Sequence, residues 1–141
     1  METSSLNRFL EAQEYTYETA LNEIRNGEKE TCWMWYIFPQ LRGLGSSEMS
    51  YTYGLDGIEE AKAYLNHPVL SARLVEITAA LLQHQDIPIE DLIGDLDVEK
   101  LRSCMTLFAL LSDNRSVFHE VLDCFYDGEL DKKTITMISK T

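Results

Sequence analysis

The sequence predicts an all-α fold. Three observations carry that expectation. Apolar residues recur at three- and four-residue spacings along most of the chain, and the three prolines and seven glycines punctuate those stretches. No run of strand length alternates polar with apolar residues. Six or seven helices are expected in a single domain over residues 1–141. Residues 31–38, aromatic and β-branched, are the one stretch that would also suit a short strand.

Each element has its own signal. The first helix is expected to start after Ser4 or Ser5 as N-cap, to bury Leu6, Phe9, Leu10, Tyr17, Leu21 and Ile24, and to stop at Asn26-Gly27. A short helix through Met49 and Tyr53 follows the loop after Pro39. Asp56 with Glu59 three residues later reads as a capping box for a helix through Ala61, Tyr64 and Leu65. Asn66-His67-Pro68 ends it, and Pro68 opens the next, whose stripe is Leu70, Leu74, Ile77, Leu81 and Leu82 to about His84. Pro88 and Gly94 bracket a short helical turn. Asp97 then caps the most apolar helix, Val98 to Leu111, whose wide stripe marks it as central. Asp113 or Asn114 is expected to cap a helix burying Val117, Phe118, Val121, Leu122 and Phe125, and Asp131 to open a last one through Ile135 and Ile138.

Composition limits the function classes. With 45% hydrophobic and 26% charged residues the chain is a globular folder, and its length supports a core without metal or disulfides. A net charge of −12 opposes duplex nucleic acid and anionic membranes as partners. Cys32, Cys104 and Cys124 are odd in number and form no CxxC pair, which together with the lack of a signal-peptide pattern predicts a cytoplasmic protein.

The negative charge is uneven. Residues 1–30 carry net −4 and residues 55–100 net −7, whereas residues 31–54 hold one Arg and one Glu. That neutral stretch contains both tryptophans, followed by Pro39-Gln40-Leu41-Arg42-Gly43-Leu44-Gly45-Ser46. Two readings apply. Trp33, Tyr36 and Phe38 anchor the first helix in the core, and the loop is an ordered connection. Alternatively, the loop offers side-chain and backbone donors beside aromatic faces and holds a small anion. The two glycines lack the third of a dinucleotide fingerprint, and no Walker lysine follows.

These residues also carry a resemblance. Trp33-Met34-Trp35-Tyr36-Ile37-Phe38-Pro39-Gln40-Leu41-Arg42-Gly43-Leu44-Gly45, then Glu60-Ala61, Tyr64-Leu65, His67-Pro68-Val69-Leu70, Arg73-Leu74, Lys100-Leu101-Arg102-Ser103 and Met105-Thr106-Leu107-Phe108 resemble the family catalogued as domain of unknown function 1810, over nearly the whole chain. The resemblance implies no activity. The chain departs from the family pattern at Cys32, where His is usual, and at Ser103-Cys104, where Ser-Ser is usual. Some relatives are labelled calpastatin, which resembles a long disordered inhibitor, unlike a compact helical chain.

Other constellations have weaker signals. Lys100, Ser103 and Thr106 share a face of the central helix, and Arg102 lies beside them. They are either a solvated helix end paired to Asp97 and Glu99 or the wall of a polar cavity that includes Gln40 and Arg42, with Arg73 as a further cation. His67 is a cap or packing residue at its helix junction, or a general acid or base. His119-Glu120-Val121-Leu122-Asp123 misses the zincin spacing, and no metal site is expected.

The expected function is therefore binding of a small anionic metabolite, of nucleotide or sugar-phosphate type, by a monomer or weak homodimer. Trp33, Trp35 and Phe38 would wall the site and Gln40, Arg42, Arg73, Arg102 and Ser103 would supply polar contacts. No catalytic residue and no cofactor is assigned. The alternative is a protein-interaction module that presents the aromatic segment as an exposed patch.

Overall fold

Leu6, Phe9, Gln13, Tyr17, Ala20, Leu21 and Ile24 are all buried, and their spacing places them along one side of α1, Glu2–Arg25. The structure, a computed structural model, describes residues 2–113 and 115–140, with side chains from Leu6 onward. Because α1 starts by Glu2, Ser4 and Ser5 lie inside its first turns rather than capping it. Its C-terminus closes as expected, Gly27 taking a φ of 86° that frees the Glu28 N–H to donate to the Glu23 carbonyl.

Eight further helices follow among the described residues: α2 Met34–Ile37, α3 Glu48–Thr52, α4 Gly57–Asn66, α5 Pro68–Leu81, α6 Ile89–Ile93, α7 Val98–Leu110, α8 Val117–Tyr126 and α9 Lys132–Ser139. The total of nine exceeds the six or seven expected because α2 and α3, of four and five residues, count as separate turns. Residues 31–38 form no strand. A strand needs a ladder partner, and here the backbone N–H groups of Glu30 and Thr31 donate to the Glu23 side chain at 2.8 and 3.1 Å instead. The described residues contain one isolated parallel bridge, Leu41 with Leu55, which sews the loop after α2 to the entrance of α4.

Several caps differ from expectation. The Asp56 side chain makes no cap bond, and Glu60 rather than Glu59 reaches back to the Asp56 N–H, at 2.7 Å. Arg8 explains the substitution, since it holds the Glu60 carboxylate at 3.0 and 3.1 Å. Asp97 also caps nothing, being engaged by Lys29 and Lys100 at 3.0 and 3.3 Å. Ser116, not Asp113, caps α8, in a reciprocal box with His119, and Asn114 lies outside the described residues. His67 is a cap, its Nδ1 accepting from the Val69 and Leu70 N–H groups at 3.2 Å each. Pro68 and Asp131 open α5 and α9 as the sequence suggests.

The apolar stripes meet around α7. Leu101, Cys104, Met105, Leu107 and Phe108 are fully buried, and the helix packs against α4, α6, α8 and α9. An aromatic file runs through the core: Phe9 meets Tyr64 edge-on at 5.1 Å, Tyr64 meets Phe108 at 5.7 Å, and Phe108 meets Phe118 at 5.7 Å. Each such burial contributes about 1.5–3 kcal/mol. No helix among the described residues is long and apolar enough to cross a membrane.

Candidate functional site

Glu99, Lys100, Arg102 and Ser103 lie on one side of α7, since residues three and four apart on a helix are neighbours. Of these four only Ser103 is buried. That side forms the floor of a cleft of about 810 Å³ whose other walls are Trp35 of α2, Gln40, Leu44 and Gly45 of the following loop, and residues 129–133 and 135 at the start of α9. A volume of this size lies within the range of small-molecule sites, about 300–1,000 Å³.

Local rules hold each wall in place. The Gln40 carbonyl accepts from the Leu55 N–H at 2.9 Å, so the bridge that ends the loop also positions Gln40. Gly45 is required by close approach: a Cβ there would lie 2.8 Å from the Ser50 Cβ. On the opposite wall the Asp131 N–H donates to Thr106 Oγ1 at 2.9 Å, and Thr106 is fully buried one turn beyond Ser103. The Asp131 carboxylate caps α9, accepting from the Thr134 N–H at 2.9 Å and its hydroxyl at 2.6 Å. The last helix is thereby moored to the central one.

The lining is electrostatically unlike the rest of the molecule. Lys100, Arg102, Lys132 and Lys133 face Glu99, Glu129 and Asp131, a small positive excess in a chain of net −12. Lys100 donates to the Leu96 carbonyl at 3.0 Å and to Asp97, and its ammonium lies 4.8 Å from the centroid of the Trp35 ring. Arg102 donates to Glu99 at 2.7 Å and Glu129 at 3.2 Å, and the Glu99 hydrogen bond holds its pKa above the usual range. Both carboxylates are largely exposed, so these pairs contribute little stability. Ser103 and Gln40 are buried residues, yet neither side chain has a hydrogen-bond partner among the described residues. Their polar atoms are not sealed in the way that the Thr78 hydroxyl is, and they open onto the cleft. Such groups are available to a ligand.

Of the eight residues expected at a site, Trp35, Gln40, Arg102 and Ser103 line this cleft together. The other four lie elsewhere. Trp33 and Phe38 are each 1% exposed and pack with each other at 6.2 Å in the core. The Trp33 indole N–H donates to Glu23 at 2.9 Å, so its polar edge is spent internally. Arg42 turns toward α3, donating to the Tyr51 carbonyl at 2.8 Å and lying 4.6 Å from the Tyr51 ring centroid; it borders a smaller cleft of about 390 Å³ with Arg8 and Glu60. Arg73 donates to Gln13 at 3.2 Å beside Tyr17. Trp33, Tyr36 and Phe38 therefore lie in the core, while the α7 face meets Gln40 in a cavity that Arg42, Arg73 and the fully buried Thr106 do not line. The salt bridges expected for that face, Lys100 to Asp97 and Arg102 to Glu99, are present as well.

Lys132 and Lys133 were missed. They are the one adjacent pair of basic residues in the sequence and directly follow an N-cap aspartate, which was their signal. Among the described residues no three His, Cys, Asp or Glu side chains are grouped to hold a metal ion. His67 and His119 are both engaged in caps.

Comparison with known proteins places this geometry in a family. No curated protein matches the chain. Among solved structures, the chain is similar to the conserved hypothetical protein Rv1873 from Mycobacterium tuberculosis, with 43% identity, a TM-score of 0.93, and coverage of 96% of this chain and 97% of that one. The model of the family described as Protein of unknown function (DUF1810) matches residues 3–138, and the chain belongs to that family.

Proposed function

We propose that the protein binds a small anionic metabolite in the cleft between α7, α2 and the start of α9. One observation carries the reading: Trp35, Gln40, Arg102 and Ser103 converge there with Lys100, Lys132 and Lys133. An aromatic face, two polar side chains with no protein hydrogen-bond partner among the described residues and several cations form a recognition surface for a planar or hydroxylated anion. The cytoplasm as its place of action rests on three free thiols, with Cys32 exposed.

The interaction-module reading has fewer residues to use, because Trp33, Tyr36 and Phe38 are buried and contribute no exposed patch.

A thermal-shift screen against nucleotides, sugar phosphates and dicarboxylates tests the proposal. A ligand present at a hundredfold its Kd is expected to add about 2.7 kcal/mol of stability. Arg102→Ala and Trp35→Ala are expected to reduce that shift without unfolding the chain. Silence with every anion, at concentrations up to millimolar, overturns the reading.

A further inference from the structure

The charges around the cleft divide into two kinds. Arg102 is already paired with Glu99 and Glu129, and Lys100 with Asp97. Lys132 and Lys133 have no carboxylate partner among the described residues, and they occupy the first turn of α9. The first N–H groups of a helix have no intrahelical acceptor and point outward with the positive end of its dipole. The α9 terminus itself is already capped by Asp131, which accepts from the Thr134 N–H at 2.9 Å, so this end of the cleft offers an anion its two uncommitted ammonium groups.

The other end has different chemistry. Ser103, 6% exposed, and Gln40, 8% exposed, direct unpartnered polar atoms into the cleft beside the Trp35 ring. A hydroxyl and a carboxamide supply both donors and acceptors. An unfilled donor and acceptor next to an aromatic plane suit a flat ring with hydrogen-bonding edges, such as a nucleobase.

Resting on the reading above, we infer that the ligand is a nucleoside monophosphate, its base beside Trp35, Gln40 and Ser103 and its phosphate at Lys132 and Lys133. The charge balance limits the phosphate count. A phosphomonoester carries about −1.5 to −2 near pH 7, which the two lysines neutralise. Asp131 at this end is committed to the α9 cap, and further phosphates would meet Glu99 and Glu129 on the same lining.

Isothermal titration of the full chain with AMP, GMP, CMP and UMP tests this, alongside adenosine, ribose phosphate, inorganic phosphate and ATP. At least one monophosphate is expected to bind about tenfold or more tighter than its nucleoside, ribose phosphate or the triphosphate, a gap of about 1.4 kcal/mol. In the double variant Lys132→Ala/Lys133→Ala, at exposed positions, the advantage over the nucleoside is expected to vanish while nucleoside binding is kept. Ser103→Ala and Gln40→Ala are expected to remove the advantage over ribose phosphate. If either fails to fold, the comparison of ligands on the unaltered chain decides. Ribose phosphate or inorganic phosphate binding as tightly as every monophosphate overturns the base assignment, and ATP binding more tightly overturns the phosphate count. Both results leave the anion cleft standing. Loss of all binding to any anion or dicarboxylate overturns the cleft itself.

Discussion

Glu23 illustrates how one residue in this chain outweighs its local pattern. In sequence it is one of seven acidic residues in the first 30, and nothing marks it out. In the fold it is a buried carboxylate that receives the Glu30 and Thr31 N–H groups, the Thr31 hydroxyl and the Trp33 indole N–H. Burial alone would push its carboxyl upward, but these hydrogen bonds outweigh burial and hold it at about 2, below the ordinary 4.5. The folded pKa is the lower one, so the stabilisation is complete above about 4.5 and is lost as pH falls toward about 2. Glu23→Gln is expected to cost about 2–3 kcal/mol at pH 7, the equivalent of roughly two pKa units. Urea denaturation at a series of pH values checks it: the gap between the two proteins should close on acidification, and a gap independent of pH would exclude the mechanism.

Whole elements were read more accurately than their boundaries. The stripes of α1, α5, α7 and α8 were legible because burial on one side imposes a helical period. Caps were less legible, because Asp and Ser side chains choose between a helix end and a distant cation. Asp97 sits where an N-cap belongs, but two lysines claim it. Asp113 has a capping residue type, but Ser116 is one residue before Val117 and has the extended backbone that a cap needs. Ser116→Ala is expected to destabilise the protein by about 1 kcal/mol, whereas Asp113→Ala should change stability by less than about 0.5 kcal/mol. Chemical denaturation of the two variants separates them, and the reverse order would restore the sequence-based cap. The segment 31–38 is the converse case. Its composition suits a strand, but the chain provides no second strand to pair with it, and Glu23 binds its leading N–H groups.

At the scale of the molecule, a short electrostatic chain links the turn after α1 to the floor of the cleft. Lys29 and Lys100 share the Asp97 carboxylate, Lys29 lies 4.9 Å from the Trp33 ring centroid, and Lys100 lies 4.8 Å from that of Trp35. The Lys29–Asp97 pair is shielded, at 10% and 13% side-chain exposure, while Lys100 is 25% exposed. Removing the shared partner strands two cations, and loss of one member of a buried pair costs about 3–5 kcal/mol. Asp97→Ala is therefore expected to cost about 2–3 kcal/mol, below that range because water reaches Lys100. A lowered urea midpoint with an unchanged slope would agree, and no change would show that solvent already screens the pair.

The sequence by itself determined that the chain is helical, which faces of the long helices are buried, that α7 is central, and that residues 31–54 interrupt an acidic surface. It determined these because helical period and local charge are properties of neighbouring residues. Only the tertiary structure decided which of the aromatic residues are core and which face water. It sent Trp33 and Phe38 inward, left Trp35 at the cleft, and turned Arg42 and Arg73 to other partners. It also brought Lys132 and Lys133 opposite Gln40, about 90 residues away in sequence. No local rule reaches that far: the angle at which α9 meets α7 is set by how the side chains of both helices interlock, and that packing decides which cations line the site.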